Sequence, residues 1–164
     1  MEICAYCEAI KDAAGDGEAA VVQEIADLFY QAVWCIDDEI YNAEQKAVWA
    51  PKPDYVLWHK RLADKQPWLA KIDQRIAGFI ELDPDGHIDC TYTHPDYQGQ
   101  GVASALYQQL ELAASNRDLQ RLYVEASMIA QPFFQRRGFS VVKENIIQRD
   151  GVTLSNFTME KLLQ

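Results

Sequence analysis

His94-Pro95-Asp96-Tyr97-Gln98-Gly99-Gln100-Gly101-Val102-Ala103-Ser104-Ala105-Leu106 is the stretch on which the reading of this chain turns. It falls between the end of an expected strand and the start of an expected helix. Its glycines let the backbone bend tightly and approach a ligand with no Cβ in the way, and the first N–H groups of a helix lack intrahelical partners. Such a loop cradles an anion. It is not a P-loop, because no Gly-Lys-Ser/Thr follows, and the dinucleotide-binding fingerprint fails because its third glycine is Ser104. A different diphosphate ligand is required.

Outward from the loop, the hydrophobic period identifies the neighbouring elements. Trp68–Ile72, Arg75–Leu82 and His87–Thr93 alternate as strands, the last two separated by the turn Asp83-Pro84-Asp85-Gly86. Downstream, Val102, Leu106, Leu110 and Ala113 line one side of a helix from Gly101 to Ser115, and Leu122–Glu125 reads as a strand parallel to the one before the helix. A helix from Gln131 to Arg137 stops at Gly138, and strands Phe139–Val142 and Thr153–Met159 flank the turn Arg149-Asp150-Gly151. The first third reads as a strand from Ile3 to Ala9, a turn at Gly15-Asp16-Gly17 and a helix whose stripe is Val21, Val22, Ile25, Leu28, Phe29, Ala32 and Val33. Asn42 caps a helix through Trp49, Pro51 and Pro53 break it, and Asp54 caps another to about Ala63. The sum is a mixed α/β (α+β) layered domain.

At 164 residues the chain suits one domain, 1–164, and 49% apolar with 24% charged residues argues against disorder and against a disulfide miniprotein. The net charge of −10 is uneven. Residues 1–50 carry 11 Asp and Glu against only Lys11 and Lys46. That balance opposes nonspecific nucleic-acid binding, which needs Lys and Arg for the phosphates, and leaves a cationic partner open beside the plainer reading of solvated helix faces. No basic leader region and no apolar run of about 18 residues stands out, so the expectation is a soluble cytoplasmic protein with no membrane contact. Cys4, Cys7, Cys35 and Cys90 lack the clustered partners of a zinc site, and Cys4 and Cys7 would point to opposite faces of a strand. No metal is expected, and the thiols read as free.

Gln98-x-x-Gly101-x-Ala103 resembles the acyl-CoA loop Gln/Arg-x-x-Gly-x-Gly/Ala of the GNAT superfamily of N-acetyltransferases. The preceding Thr93-His94-Pro95-Asp96-Tyr97 is similar to the family's strand end, and Ala130-Gln131-Pro132-Phe133-Phe134-Gln135-Arg136-Arg137-Gly138-Phe139 resembles its second signature, A-x-x-F-Y-x-x-x-G-F. Element order agrees over nearly the whole chain. Val102–Leu106, Glu125-Ala126-Ser127 and Pro132-Phe133-Phe134 look further like the YafP-like branch.

The resemblance implies a GNAT-like twisted, mixed central sheet of about six to seven strands flanked by helices. It implies acetyl-CoA as cosubstrate and transfer to a primary amine by direct attack on the thioester. Backbone groups of Tyr92 and Thr93 would pair with the pantetheine arm, and the amides of Gln98, Gly99, Gln100, Gly101, Val102, Ala103 and Ser104 would hold the pyrophosphate. Ser127 falls where the family often has an Asn touching the cofactor, with a strand-end turn as its other reading. Phe134 would lie beside the CoA sulfur in place of the family's acidic Tyr, so either another donor such as Tyr123, Tyr92 or water serves, or the thiolate leaves unassisted. Arg136 and Arg137 read as solvated helix charges that also lie within reach of CoA phosphates.

His87 stands six residues before Thr93, a spacing at which some family members carry a Glu base, and Asp89 shares its parity. Both are candidate catalytic groups, Asp89 as base or as anchor for the acceptor's ammonium; Glu125 is a third. Trp34, Tyr41, Trp49 and Trp58 give the acidic third an aromatic surface suited to a cationic amine, though at helical spacing they also read as core. The rival reading is a catalytically silent acyl-CoA-binding or sensor module. A homodimer stays open.

Overall fold

The run from His87 to Thr93 divides between two sheets, and the division makes a cleft. The computed structural model describes residues 1–13 and 16–164, so Gly15 of the expected Gly15-Asp16-Gly17 turn lies outside the described residues. In chain order the elements are β1 (Glu2–Ala5), α1 (Tyr6–Asp12), α2 (Gly17–Trp34), α3 (Ala43–Trp49), α4 (Tyr55–Lys65), β2 (Trp68–Ile72), β3 (Arg75–Ile80), β4 (His87–Ile88) and β5 (Thr91–Thr93). They continue as α5 (Val102–Asn116), β6 (Arg121–Ala126), α6 (Gln131–Gln135), β7 (Ser140–Arg149) and β8 (Val152–Leu162). One sheet has the order β1-β2-β3-β5 and the other β4-β6-β8-β7. Counting the divided run once gives seven strands, within the expected number.

Register shows where the run changes sheets. His87 and Ile88 pair in parallel with Tyr123 and Val124 of β6. Thr91, Tyr92 and Thr93 pair antiparallel with Ile80, Phe79 and Gly78 of β3. Among the described residues, β6 beyond Val124 keeps β8 on one side and has no partner on the other, while β5 is the edge of its own sheet. Two unpaired backbone edges therefore diverge from Asp89 and Cys90. α5 crosses between them, giving the expected β-α-β connection.

Local chemistry sets several element ends. Asn42 Oδ1 accepts from Gln45 N (2.9 Å), with Gln45 Oε1 accepting Asn42 N in return (2.9 Å), and Asp54 accepts from Val56 and Leu57 N, so both expected caps form. The expected strand Ile3–Ala9 stops at Ala5: Glu8 accepts the Ala5 N–H (2.9 Å) and opens α1, which places Cys7 on a helix. β7 and β8 run longer than expected and meet across Asp150-Gly151, an Asp-Gly hairpin turn.

Two cores cover the faces. α1, α2 and α4 bury Tyr6, Val22, Ile25, Leu28 and Leu62 against Leu69 and Phe79. α5 buries Val102, Leu106 and Leu110 with Ala77, Ile80, Ile88, Leu122, Phe134 and Met159. Gly78 sets how closely α5 approaches: a Cβ there would lie 2.7 Å from Val102 Cγ1 and 2.9 Å from the Tyr92 carbonyl oxygen. Among the described residues no helix is long and apolar enough to cross a membrane.

Candidate active site

The diverging edges of β5 and β6 open a cleft of about 560 Å³. Of the candidate residues, Asp89, Tyr92, Thr93, Gln98, Ser127 and Phe134 line it, with Glu125 and Arg61 beside them. At its rim, His94 Nδ1 accepts from Asp96 N (3.2 Å) over a short 3₁₀ turn, Pro95–Tyr97, and Gln100 Nε2 donates to the Asp96 carbonyl (3.0 Å), which folds the loop back on itself. Gly99 and Gly101 take φ of +73° and +82°, where only glycine is unstrained, and no atom lies within 4 Å of where a Cβ would sit on either. The space above both is open. The first intrahelical bond of α5 is Ala105 N to Gly101 O (3.0 Å), so the amides of Val102, Ala103 and Ser104 precede the helical ladder. Val102 contributes its amide only, since its side chain is buried in the core.

Ser127 takes the turn alternative: its Oγ accepts from Ala130 N (3.1 Å) and its carbonyl from Gln131 N (2.9 Å), starting α6, while the residue still lines the cleft. Phe134 is wholly buried in a cage of Tyr107, Phe133 and Phe139, with ring centroids 5.1 to 6.5 Å away, and forms the cleft's inner wall. Arg137 is not a free surface charge. It donates to Ser104 Oγ (2.7 Å) and lies 3.5 Å over the Phe133 ring, next to the first turn of α5.

The charged side of the cleft is a connected network. Arg61 donates from Nε and Nη2 to the two oxygens of Glu81 (3.0 and 2.5 Å), and Nη2 also reaches Asp89 (3.0 Å) and the Cys90 sulfur (3.0 Å). Lys65 joins Asp89 (2.9 Å) to Asp83 (2.6 Å). Burial raises the carboxyl pKa of Asp89, but the Lys65 hydrogen bond and the charges of Arg61 and Lys65 outweigh it and hold the group below its ordinary range. Glu81 is raised by burial in spite of Arg61, and burial pushes the Cys90 thiol well up. Asp89 is thus a paired anion and a weak proton acceptor.

His87 does not line the cleft. Its Nε2 contacts Glu125 (2.5 Å), its Nδ1 contacts Asp83 (3.2 Å), and its ring stacks on Tyr123 at 4.8 Å. Partial burial lowers its pKa, but the bonds and charges of Glu125 and then Asp83 raise it above the ordinary value overall. Tyr123 donates to Asp85 (2.5 Å), which pushes its pKa up to about 12, and it too stands outside the cleft.

Sequence reasoning passed over Arg61, Lys65 and Glu81. The signal was present: Glu81 ends the otherwise apolar run Ile76-Ala77-Gly78-Phe79-Ile80, and a carboxylate buried there requires a cation. The aromatic expectation divides. Tyr41 and Trp49 line the cleft, Trp58 packs on Phe29 and Phe79, and Trp34 donates to the Ala50 carbonyl (2.9 Å).

A glycine loop at a helix start, joined to two sheets that part around a cleft, has the layout of the GNAT class of acyltransferases. Residues 37–162 match the family model of the acetyltransferase (GNAT) domain, and the chain belongs to that family of acetyltransferases. It is 35% identical over 137 residues, 84% of this chain and 87% of the relative, to the uncharacterized N-acetyltransferase YafP of Escherichia coli strain K12, which bears out the YafP-like resemblance. Among solved structures, a GCN5-related N-acetyltransferase from Rhodopseudomonas palustris superimposes with TM-score 0.84 at 32% identity, over 99% of this chain and 95% of that one. The fold is also that of YncA from Salmonella typhimurium, solved with its cofactor acetyl-CoA, at TM-score 0.64 and 14% identity over 89% and 90% of the two chains.

Proposed function

We propose that residues 1–164 act as a single domain that transfers an acetyl group from acetyl-CoA to a primary amine, the amine attacking the thioester directly. The observation that carries this is the pair of unpaired edges of β5 and β6 leading from the open space over Gly99 and Gly101 to the carboxylates of Asp89 and Glu125. The residues present fit the cosubstrate. The amides of Gln98 to Ser104 receive the pyrophosphate, and the free edge of Tyr92 and Thr93 receives the pantetheine amides. Acetyl-CoA supplies an activated acyl carbon, so the chain has only to align, deprotonate and stabilise. Asp89, already ionic, holds the acceptor as its ammonium, with Tyr41 and Trp49 adding aromatic faces. The proton then leaves through Glu125 to His87, whose Nε2 contacts the Glu125 carboxylate.

The buried, hydroxyl-free Phe134 favours a second reading, a silent acyl-CoA-binding module. A screen of primary amines, polyamines and amino acids with detection of released thiol separates the two. Turnover supports the enzyme, whereas CoA binding by calorimetry without thiol release over the whole panel supports the module.

A further inference from the structure

We propose that the acceptor amine is a free amino acid, its ammonium held at Asp89 and its carboxylate at Arg149. The inference rests on the acetyltransferase reading and deepens it by naming the class of amine. The cleft has one wall short of positive charge. There Glu81, Asp83 and Asp89 share two cations, Arg61 and Lys65, and both cations approach Asp89 at Oδ2, so its other oxygen is the freer one. Glu125 adds a further carboxylate beside His87. Even with His87 charged, these four carboxylates outnumber the three cations by one. An ammonium supplies the missing charge.

The hairpin of β7 and β8 forms a wall of the opposite character. Arg149 and Asn156 line the cleft from it, and no carboxylate of either strand does. Arg149 Nη1 donates to the Val48 carbonyl (3.2 Å), and among the described residues its guanidinium meets no carboxylate, although the chain carries a net charge of −10. Arg61, the other arginine of the cleft, is already taken up by Glu81 and Asp89. Asn156 accepts at Oδ1 from Asn145 Nδ2 (2.8 Å), which leaves its own amide N–H groups to donate. A fixed positive charge with a neighbouring donor and no anion is a subsite for a carboxylate, which a guanidinium grips through two parallel N–H groups.

Both subsites are set before anything binds. Tyr41 donates to the Ser155 carbonyl (3.2 Å) and Gln45 Nε2 to the Thr153 carbonyl (3.0 Å), so with Arg149 three bonds tie the hairpin to residues 41–48. Trp49, next in the chain after Val48, donates its indole N–H to Tyr92 (3.1 Å) on β5, which begins two residues beyond Asp89. The Arg149 and Asp89 ends are thereby joined through one indole, and the cleft of about 560 Å³, which must also take the pantetheine arm, leaves room for a small acceptor. A peptide N-terminus carries an amide in place of the carboxylate. It would leave Arg149 without a partner, and a site built for a polar group discriminates against a ligand that lacks it.

The test compares the common amino acids, each with its own carboxamide, as acceptors of acetyl from acetyl-CoA and as ligands of the CoA-bound protein in calorimetry. The best amino acid should exceed its amide by about tenfold or more in kcat/KM, the range expected for a hydrogen-bonded charge pair. Most of that preference should lie in KM, because the carboxylate stands apart from the reacting atoms. Arg149→Gln should bring the preference close to parity, Arg149→Lys should keep part of it, and Asn156→Asp should lower it by setting a carboxylate beside the ligand's own. A wild-type preference near one, or an equal preference in Arg149→Gln, overturns the carboxylate subsite and leaves the acetyltransferase reading standing. A loss of CoA affinity in Arg149→Gln assigns the arginine to the cosubstrate and overturns the subsite as well. If no acceptor turns over while amino acids still bind in an Arg149-dependent way, the acetyltransferase reading alone falls. If neither turnover nor such binding is seen, both fall.

Discussion

Gly101 and His87 carry the two residue-scale expectations. At Gly101 an Asp would place a carboxylate in the open space over the loop, in a left-handed conformation that costs a non-glycine residue about 1 kcal/mol. Gly101→Asp should therefore weaken CoA binding by about tenfold or more through charge repulsion, read by calorimetry on folded protein. At His87 the sign follows from its partners. A base must be neutral to accept a proton, and Glu125 and Asp83 favour the charged imidazole, so the acid limb of kcat/KM should lie above the ordinary value of about 6.5. Activity rises with pH through that limb, and His87→Ala should flatten it. An unchanged profile in His87→Ala would return the residue to a surface ion pair.

Among the elements, α5 is the one whose position makes the site, and Gly78 fixes it. Gly78→Ala forces a methyl group against Val102 Cγ1 and the Tyr92 carbonyl, so α5 and β5 must separate. The expected cost is about 1–3 kcal/mol, measured by denaturant unfolding, with a loss of CoA affinity larger than that from an equally destabilising change elsewhere. The ends of α3 and α4 and the turn after β7 were legible in the sequence, because Asn42, Asp54 and Asp150-Gly151 act on neighbours within a few residues. The division of His87–Thr93 was not. The run alternates as one strand, and only β6, some 35 positions on, and β3 on the other side decide where each half pairs. The same holds for the site: the glycine loop declares itself locally, while the Arg61–Glu81–Asp89 network joins residues from three separate segments. The contact of the Tyr92 hydroxyl with the Trp49 indole, 43 positions earlier, likewise depends on tertiary packing.

For the molecule as a whole, the net charge of −10 and its concentration in residues 1–50 should favour encounter with a cationic acceptor under the proposed function. α2 and α3, which supply Phe29, Ala32 and Trp49 to the cleft, belong to that acidic third. Long-range attraction between unpaired charges is screened within about 8 Å at physiological ionic strength. The KM of a dicationic amine should therefore rise severalfold between about 20 and 300 mM salt, with kcat nearly constant, while a monoamine responds less. A KM for the dicationic acceptor that is flat with salt would return these acids to the role of solvating helix faces.

The parting of the sheets has one more consequence, for solubility. Unpaired strand edges invite foreign strands, and an exposed edge is an aggregation template. Here the bare backbone of Thr91–Thr93 is three residues long and lines the cleft together with Glu125 and Ala126, a length that offers a second strand few hydrogen bonds. Among the described residues the longest free edge is β7, which is broken at Val142 by a bulge and carries Lys143 and Glu144 beside it, features that deter strand addition. The chain thus leaves a three-residue edge open inside the cleft and interrupts the register of its ten-residue outer edge.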